Sequence, residues 1–291
     1  MTLYLMRGPS GSGKTTYAKT LDAMRVSRDD IRAELTGRSD KFAGDNKFEA
    51  QVTRVQTGRV RDLLIARKDV VIDDTNLIDK FAVEWLNMAH DYGHDWAVHE
   101  MDATLEEAIT QNANREDAVP ESVIRRQWSK WVNIGEIHPT HPFVDWSMHV
   151  PDPDRTRVFA VDLDGTLCLN KTGMSPYDPA HYPLDTPNPA LLVILDSLGA
   201  QRIPWIVTTG RDEEYRSVCE EWLYRYGLSP RAIFMRPAGD KRRDDVVKAE
   251  MYNRHIRGTY DLMAVFDDRQ RVVDMWRARG ITCWQIAPGD F

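Results

Sequence analysis

Short apolar runs alternate with stretches of helical spacing through both halves of this chain. Each run ends in Gly, Asp or Thr, and a helix that follows such a run returns the chain to begin a parallel strand beside it. Strands are predicted at Leu3–Met6, Met24–Ser27, Val70–Asp73, Ala97–Met101, Arg157–Asp162, Ile203–Thr208, Ile233–Arg236, Ala264–Asp267 and Thr282–Ala287. Helices are predicted in the first half at Lys14–Leu21, Phe48–Ile65, Lys80–Asp91 and Glu121–Val132. The sequence therefore predicts an α/β fold with parallel sheets, whose polar side chains gather at the carboxyl ends of the strands.

The periodic pattern is interrupted between the two halves. The stretches His138 to Pro142 and Pro151 to Asp154 carry prolines that exclude a continuous helix or a central strand. A length of 291 residues is enough for two independent hydrophobic cores. We therefore expect a first domain at residues 1–137, a Pro-rich linker at 138–156 and a second domain at 157–291.

Composition excludes several classes of protein. With 42% hydrophobic and 29% charged residues, the chain is neither collagenous nor disordered. A net charge of −7 does not suit a protein that grips long nucleic acid through many phosphates, so any contact with nucleic acid is expected to be local. The three cysteines form no C-x-x-C pair, and neither a signal peptide nor a run of about 18 apolar residues is recognisable. A cytoplasmic protein is expected.

The first polar cluster follows the first predicted strand and has the pattern G-x-x-x-x-G-K-[ST]. Glycines allow backbone N–H groups to surround phosphate oxygens, Lys14 can neutralise the β- and γ-phosphates, and the Thr15 hydroxyl suits a magnesium ion. The residues predicted to bind a nucleotide are Gly8, Ser10, Gly11, Ser12, Gly13, Lys14, Thr15 and Thr16. The alternative is a glycine-rich turn that only caps a helix, which the strand–loop–helix setting disfavours.

Two further acidic clusters follow strands of the first half and are expected to face the same site. Asp29 could act as a general base towards an acceptor hydroxyl, with Arg32 steadying the base or the acceptor. The alternative is that Asp29 and Asp30 only cap the next helix. Asp74 is preferred over Asp73 as the magnesium or acceptor contact, although Asp and Asn at this place could simply form a turn.

A polar stretch that ends at Arg115 has the character of a lid. A kinase with a P-loop needs a cation to stabilise the negative charge on the phosphoryl group during its transfer. An arginine on a lid that closes over the nucleotide commonly supplies this cation. The alternative is that Arg115 is an ordinary solvated side chain, and sequence spacing alone does not decide between the two.

The second half begins with an apolar strand that ends in D-x-D-G-T. This pattern resembles the first motif of phosphatases of the haloacid dehalogenase type. The carboxylate of Asp162 can attack phosphorus, while Asp164 can protonate the leaving oxygen and then activate water. An acidic turn is the structural alternative, and a calcium loop is disfavoured because no Glu follows at the required position.

Later segments supply the remaining groups that such a phosphatase needs. Thr209, Gly210 and Arg211 follow a strand and offer donors to a phosphate. Lys248 is expected one helical turn beyond Asp244, which makes both candidates for the phosphate site, although a charge run is often only a solvated helix face. The metal ligands are predicted to be Asp162, Asp164, Asp267 and Asp268, in addition to Thr15 in the first half. Trp205, Trp222, Trp276 and Trp284 are expected in the core rather than as stacking platforms for bases.

Taken in order, these motifs resemble the bacteriophage polynucleotide 5′-kinase/3′-phosphatase family. The resemblance covers essentially the whole chain and rests on the P-loop, R-D-D-x-x-R, D-T-N, D-x-D-G-T, T-G-R, D-D-V-V-K and D-D-R motifs. It implies a P-loop kinase domain fused to a haloacid-dehalogenase-like, Rossmann-like phosphatase domain. It also implies transfer of the γ-phosphate of ATP to a 5′-OH end of RNA or DNA, and removal of a 3′-phosphate or a 2′,3′-cyclic phosphate. The resemblance further implies ATP and Mg²⁺ as cofactors and a ligase as working partner. It also implies a homotetramer and a location in the cytoplasm of a phage-infected host.

The resemblance also implies roles for single residues. Asp29 becomes the general base, Arg32 and Asp74 acceptor-side contacts, and Arg115 the cation of the transition state. Asp162 becomes the nucleophile and Asp164 the acid and base of the second site. The groups implied to support its phosphate and metal are Arg211, Asp244, Lys248, Asp267 and Asp268.

The chain departs from the family pattern at two places. Gln111 stands in the lid where the family has a second arginine, and the lid is shorter. Met174 stands in the loop after Asp164 where the family shows an arginine, so Lys171 is a candidate substitute. Nucleotide binding and the contact with the 3′ end are therefore expected to differ in detail.

Two other functions fit parts of the pattern. A kinase and a phosphatase that act on a small metabolite would use the same motifs, because a P-loop and a D-x-D-G-T site do not specify the acceptor. A non-catalytic scaffold is disfavoured, because it has no need of Lys14, Asp29, Asp162 and Asp164 together.

Overall fold

The computed structural model of the protein describes residues 1–37, 46–115 and 118–289. Contacts divide the chain into two units, Met1–Phe143 and Val144–Phe291. The division falls within the segment 138–156 that the sequence marked as a linker. No helix within the described ranges has the length and apolar character needed to cross a bilayer.

The first unit is built on a four-stranded parallel sheet. Its strands are β1 (Thr2–Arg7), β2 (Met24–Val26), β3 (Val70–Ile72) and β4 (Asp95–Glu100), in the order β2-β3-β1-β4. The two central strands pair with Leu5 beside Ile72, so the loops that follow them leave the sheet at the same edge. The N–H of Gly8 donates to the carbonyl of Thr75 at 3.1 Å, which joins these two loops.

Helices cover this sheet and carry its loops. They are α1 (Lys14–Ala18), α2 (Arg28–Thr36), α3 (Asn46–Ile65), α4 (Asp79–Asp91), α5 (Leu105–Ala113) and α6 (Glu121–Trp131). Helix α3 buries Val52, Val60 and Leu64 at roughly helical spacing, and α4 buries Ala82, Leu86 and Ala89. Their apolar faces therefore lie inward and their polar faces outward.

The second unit contains a five-stranded parallel sheet in the order β11-β10-β5-β8-β9 and a separate antiparallel pair, β6 with β7. The strands are β5 (Thr156–Val161), β6 (Cys168–Leu169), β7 (Thr186–Pro187), β8 (Trp205–Asp212), β9 (Ile233–Arg236), β10 (Tyr260–Arg269) and β11 (Cys283–Gly289). The α-helices are α7 (Pro189–Ala200), α8 (Arg216–Arg225), α9 (Asp244–Met251) and α10 (Gln270–Ala278). Since β5 lies between β10 and β8, the D-x-D-G-T, T-G-R and D-D-R motifs end at one edge.

The core of the second unit contains most of the tryptophans that the sequence placed there. Trp205, Trp222 and Trp276 are buried, as predicted. Trp284 differs, because it is 47% exposed. Its inner face stacks on Phe159, with ring centroids 5.9 Å apart, so Trp284 closes the edge of the core.

Every strand and helix predicted from the sequence is present, with ends shifted by a few residues, and the predicted α/β class with parallel sheets is confirmed. Strand β8 continues through the T-G-R motif instead of ending before it, and β10 begins at Tyr260 instead of Ala264. The predicted ranges include neither α2 nor α5, nor any helix of the second unit. In α2 Ile31 is the one buried residue, and a single buried position gives no periodic signal.

Candidate active sites

The loop between β1 and α1 requires glycine at particular positions. Gly11 and Gly13 have φ angles of 81° and 90°, a left-handed conformation that other residues rarely adopt. A Cβ atom on Gly11 would also lie 2.0 Å from the carbonyl oxygen of Ala108. The predicted P-loop is therefore a close-packed turn in which α5 leaves no room for a side chain.

Lys14 lies folded against this loop. Its ammonium group donates to the carbonyl oxygen of Pro9 at 2.6 Å, and the side chain is buried. Burial lowers the pKa of Lys14 to about 8, and the charges of Asp73 and Asp74 partly offset that effect. The P-loop thus contains a cation that is poorly solvated and that an anion such as a phosphate would stabilise.

Asp73 is the carboxylate next to the P-loop. The hydroxyl of Thr15 donates to it at 3.2 Å and Arg25 donates to its other oxygen at 2.7 Å. The sequence pattern predicts Asp74 as the magnesium or acceptor contact, but neighbouring residues at a strand end point in different directions, and it is Asp73 that contacts Thr15. A hydroxyl beside a buried carboxylate is an oxygen donor set that suits a magnesium ion.

Asp74 lies on the other side of the same strand end. It accepts hydrogen bonds from the N–H of Arg28, at 3.0 Å, and from the side chain of Gln56. Burial raises the pKa of Asp74 to about 6 against the opposing effect of these donors. Asp74, Arg28 and Gln56 also line a cavity of about 720 Å³, so Asp74 faces a space large enough for an acceptor.

Asp29 lies in the first turn of α2, whose N-cap is Ser27. The Ser27 hydroxyl accepts from the N–H of Asp29 at 3.2 Å, so Ser27 is the N-cap, and Asp29 and Asp30 lie in the first turn instead of capping it. Arg32 donates to Asp29 at 2.8 Å, and the Asp29 side chain is 44% exposed. The carboxylate is thus both oriented by a cation and accessible to a substrate.

Glu49 holds Arg32 and was not singled out from the sequence. Two nitrogens of Arg32 donate to the two carboxylate oxygens of Glu49, both at 2.9 Å, and Arg28 donates at 2.8 Å. The hydrogen bond from Arg32 is the largest cause that lowers the pKa of Glu49 to about 2. No local signal marks Glu49, since it lies on α3, 17 residues after Arg32.

The predicted lid, residues 111–115, includes the last turn of α5, a helix that begins with a capping box between Thr104 and Glu107. Its exposed last segment carries Arg115, whose charge contributes to the lowered pKa of Lys14. Gln111 lines a second cavity, of about 610 Å³, together with Ser12, Gly13 and Thr16. Gln111 therefore lies beside the P-loop, while the role of Arg115 as the cation of the transition state stays a prediction.

The second site is centred on Lys248, which is buried on α9. Its ammonium group donates to Asp162 and to Asp267, both at 2.7 Å. Burial acts to lower the pKa of Lys248, but the two carboxylates outweigh burial and raise it. Burial also raises the pKa of Asp162, while Lys248 opposes that effect.

Asp268 completes this cluster. Oxygen atoms of Asp162, Asp267 and Asp268 lie within 4.8 Å of one another, and all three side chains are buried. Burial, with the charge of Asp267 as second cause, raises the pKa of Asp268 to about 6. Lys248 balances only part of this negative charge, so the cluster suits a divalent cation with oxygen ligands.

Asp164 lies with a different group. Arg211, which is completely buried, donates to both oxygens of Asp164, at 2.7 Å and 3.0 Å. Arg211 also donates to one carboxylate oxygen of Asp185 at 2.7 Å. The other oxygen of Asp185 lies 2.8 Å from Nδ1 of His181. The Asp164 carboxylate is thus paired with a guanidinium group and lies outside the group of Asp162, Asp267 and Asp268, and its predicted metal role stays a prediction.

Asp244 and the T-G-R motif form the rest of the site. Arg236 and Arg269 both form ion pairs with Asp244, and a Cβ atom on Gly210 would lie 3.1 Å from its carboxylate. The Thr209 hydroxyl is buried and accepts from the N–H of Arg211 at 3.2 Å. Asp244 thus fixes Arg236 and Arg269 at the site, and no sequence pattern marks either of them.

The loop after Asp164 contains Met174, the second departure from the family pattern, and Lys171, its candidate substitute. The carbonyl of Met174 accepts from the side chain of Asn170 at 3.1 Å, and the Met174 side chain is 41% exposed. Lys171 is exposed in the same loop. The role of Lys171 as a substitute for the family's arginine stays a prediction.

Two family models match the chain. Residues 156–291 match the model described as "Polynucleotide kinase PNKP phosphatase domain", and residues 3–133 match the model described as "AAA domain". The two matches coincide with the two units and their sites. A P-loop domain followed by a phosphatase domain of the haloacid dehalogenase type, as predicted, is confirmed.

The chain is also similar to individual proteins. A protein of Autographa californica nuclear polyhedrosis virus named "Putative bifunctional polynucleotide kinase/RNA ligase" is 30% identical over 293 residues. That similarity covers 94% of this chain and 41% of the viral protein, so the chain spans about two fifths of its relative's length. Structures titled "Structure of the Pnkp1/Rnl/Hen1 RNA repair complex" and "Structure of Pnkp1/Rnl/Hen1 complex" contain a chain that is 27% identical, with a TM-score of 0.48. Each match covers 100% of this chain and 97% of that chain.

Proposed function

We propose that the chain, whose residues 156–291 match the model of polynucleotide kinase phosphatase domains and whose residues 3–133 match the model of AAA domains, heals broken nucleic-acid ends. The first site transfers the γ-phosphate of ATP to a 5′-OH end of RNA or DNA. The second removes a 3′-phosphate, or opens and removes a 2′,3′-cyclic phosphate. The observation that carries the proposal is the Asp162–Lys248–Asp267 cluster in a domain of this family.

The cation of the P-loop and the oxygen ligands of the two sites suit ATP and Mg²⁺ as cofactors. Lys14 is a buried cation within a tight glycine loop, and Thr15 with Asp73 offers oxygen ligands beside it. Asp162, Asp267 and Asp268 offer a second set of oxygen ligands with unbalanced negative charge. A bound magnesium ion would supply charge neutralisation for the phosphoryl group at either place.

The first reaction uses the groups around Asp29. The Asp29 carboxylate accepts the proton of the 5′-hydroxyl as that oxygen attacks the γ-phosphorus and ADP leaves. Arg32, fixed by Glu49, orients Asp29. Lys14 and Arg115 stabilise the negative charge on the transferring phosphoryl group, which is the largest electrostatic demand of this step.

The second reaction proceeds through Asp162. Its carboxylate oxygen attacks the 3′-phosphorus, the bond to the ribose oxygen breaks, and Asp164 gives that oxygen a proton. In the second half, Asp164 takes a proton from a water molecule that attacks the aspartyl-phosphate and releases inorganic phosphate. Lys248 orients the Asp162 nucleophile, and Arg211 orients Asp164. Thr209, Gly210 and the arginines paired with Asp244 are the groups that we expect to contact the phosphate.

A kinase and phosphatase for small metabolites is the alternative that the motifs alone leave open. The family of residues 156–291 and the name of the viral relative favour a polynucleotide. A ligase that seals the healed ends is the partner that this activity requires. The homotetramer and the phage-infected host cytoplasm stay predictions from the resemblance.

An end-healing assay tests the proposed function. The substrate is an RNA break with a 5′-OH end and a 2′,3′-cyclic phosphate end, incubated with ATP and Mg²⁺, with the two termini analysed separately. Matched assays with the DNA break and with a panel of nucleosides and phosphorylated sugars identify the acceptor class. Phosphorylation of small molecules without phosphorylation of any oligonucleotide would contradict the proposal.

A further inference from the structure

Gln127 on α6 contacts the P-loop through its side chain. Its Oε1 atom accepts a hydrogen bond from the N–H of Ser10 at 2.7 Å, and the side chain is half-buried. No sequence motif marks Gln127, because it lies 117 positions after Ser10. The reaction derived above assigns it no role.

The peptide unit between Pro9 and Ser10 is bound at both of its polar ends. Its carbonyl oxygen accepts from the ammonium group of Lys14 at 2.6 Å, and its N–H donates to Gln127. In a P-loop the lysine reaches the β- and γ-phosphates, while the N–H groups of the loop surround the α- and β-phosphates. The contact between Ser10 and Gln127 therefore lies towards the γ-phosphate end of the nucleotide site.

Gln127 also borders the acceptor side of the kinase site. It lines the cavity of about 720 Å³ together with Asp74 and Arg28. Thr75 is another residue that lines this cavity and bonds to the P-loop, but it does so through its backbone carbonyl. The Gln127 side chain thus lies at the boundary between donor and acceptor, which the phosphoryl group has to cross.

The orientation of the Gln127 amide follows from its partner. A backbone N–H can only donate, so the atom that faces Ser10 is the amide oxygen, and Nε2 carries both of its hydrogens on the other side. Among the described residues, none accepts a hydrogen bond from Nε2. Because the oxygen already accepts from the backbone, the N–H groups of the same amide become stronger donors.

Packing holds this amide in place. Ile124, the buried residue of α6, lies three positions before Gln127, so both are on the inward face of the helix. Asn112 on α5 donates to the carbonyl of Val119 at 2.8 Å and accepts from its N–H at 3.1 Å, which fixes the segment that leads into α6. Donors fixed in this way need no reorientation when negative charge develops beside them.

We propose that Gln127 is a further catalytic residue of the kinase, which donates hydrogen bonds from Nε2 to the γ-phosphate of ATP and keeps them during transfer. The inference rests on the proposed kinase activity and deepens it. Gln127 exchanges no proton, since the proton of the 5′-hydroxyl passes to Asp29. Its neutral donors add to the charge stabilisation that Lys14 supplies, without repelling that cation.

Nucleotide binding in the absence of an acceptor tests the contact directly. The probes are ADP and the β,γ-imido analogue of ATP, each titrated calorimetrically into the protein with Mg²⁺. Gln127→Met keeps the length of the side chain without its hydrogen bonds. It should raise the Kd of the analogue by about 10- to 100-fold, the range for a hydrogen bond to a charged group, and leave the Kd of ADP nearly unchanged.

A second variant distinguishes donation to the γ-phosphate from simple attachment of α6 to the P-loop. Gln127→Glu retains an oxygen that can accept from Ser10, but it has no N–H group and its charge repels the γ-phosphate. It should weaken binding of the analogue at least as much as Gln127→Met does. Ser129→Ala, at an exposed position of the same helix, is the matched control and should keep both wild-type Kd values.

Turnover supplies an independent measure. In Gln127→Met, the kcat for a 5′-OH oligonucleotide at saturating ATP should fall about 100-fold or more, as when a donor to developing negative charge is removed. The 3′-phosphatase activity of the same preparation is the internal control. Thermal denaturation without nucleotide should show the same unfolding temperature for Gln127→Met and wild type.

The outcomes separate this inference from the proposed function. A wild-type protein that binds neither nucleotide and phosphorylates no oligonucleotide would overturn both. If the wild type is an active kinase, equal changes of the two Kd values in Gln127→Met would overturn the assignment of Gln127 and leave the kinase activity standing. Wild-type affinity of Gln127→Glu for the imido analogue would overturn it as well.

Discussion

The ammonium group of Lys248 lies 2.7 Å from the carboxylate of Asp162, although the two residues are 86 positions apart in the chain. The contact joins the end of β5 to the middle of α9 and leaves the carboxylate buried beside a single cation. Because Lys248 also contacts Asp267, one lysine compensates two buried acids. This arrangement is the basis of two of the predictions below.

Separate sites predict separable activities. Asp162→Asn removes the nucleophile and should reduce 3′-phosphatase activity at least about 1000-fold while 5′-kinase activity persists. Lys14→Ala should reduce kinase activity at least about 100-fold and spare the phosphatase, since it removes a cation aimed at the transferring phosphoryl group. Both activities are measured on one preparation of each variant. Loss of both activities in a folded variant would contradict the assignment.

Lys248 is predicted to stabilise the second unit as well as to position Asp162. Lys248→Met keeps the length of the side chain but leaves buried carboxylates without their cation, which should cost about 3–5 kcal/mol of unfolding free energy. Urea denaturation of wild type and variant measures this difference. Lys241→Met, at an exposed position ahead of the same helix, is the matched control and should change little. Equal stability of Lys248→Met and wild type would argue against the buried contact.

The carboxylate cluster predicts metal-dependent stability. At a free Mg²⁺ concentration about 100-fold above its Kd, binding should add about 2.7 kcal/mol to the unfolding free energy. Asp268→Asn should remove most of this increment, whereas Asp274→Asn, an exposed acid on α10, should retain it. Thermal denaturation in EDTA and across a Mg²⁺ titration gives both values. An identical increment in Asp268→Asn would place the ion elsewhere.

Asp185 is predicted to position Asp164 through Arg211. Asp185→Asn weakens the contact between Asp185 and Arg211, so the guanidinium group should shift. Asp164 should then shift too, because Arg211 donates to it. We expect the phosphatase kcat to fall about 100-fold with a smaller change in KM, as is typical when a reacting group is displaced by about 1 Å. Kinase activity of the same variant is the internal control. An unchanged phosphatase kcat would show that Arg211 needs no support.

Glu49 predicts a pH dependence of stability in the first unit. Its pKa falls from 4.5 to about 2 because Arg32 and Arg28 donate to it, so its contribution is fully present above pH 4.5 and is lost as the pH falls towards 2. Glu49→Gln should therefore lower stability at pH 7 by about 1 kcal/mol, a modest value because solvent screens a partly exposed pair.

Denaturation of wild type and Glu49→Gln at pH 7, 5 and 3 checks this prediction. The difference should be the same at pH 7 and pH 5 and should shrink at pH 3, since protonation of Glu49 removes the same interaction as the substitution. A difference that grows as the pH falls would have the wrong sign and would exclude the ion pairs as its cause. The kinase kcat should fall in parallel at neutral pH, because Arg32 also orients Asp29.

The sequence by itself determined the strands, the glycine loop after β1, and the carboxylates at the ends of β5 and β10. These features depend on neighbours a few positions away: the left-handed glycines at 11 and 13 and the placement of Asp162 directly after a buried strand are local. Local patterns are visible without knowledge of packing. The two-domain α/β fold and its two phosphate sites follow from them.

The tertiary structure decided which charged groups meet. Asp73 rather than Asp74 contacts Thr15, because the pleat of the strand end sends neighbouring side chains in opposite directions. Glu49 fixes Arg32, and Asp185 fixes Arg211, across 17 and 26 residues of chain. Such pairs form only after helices and strands have packed, because the free energy of a buried ion pair comes from burial and geometry that no local pattern encodes.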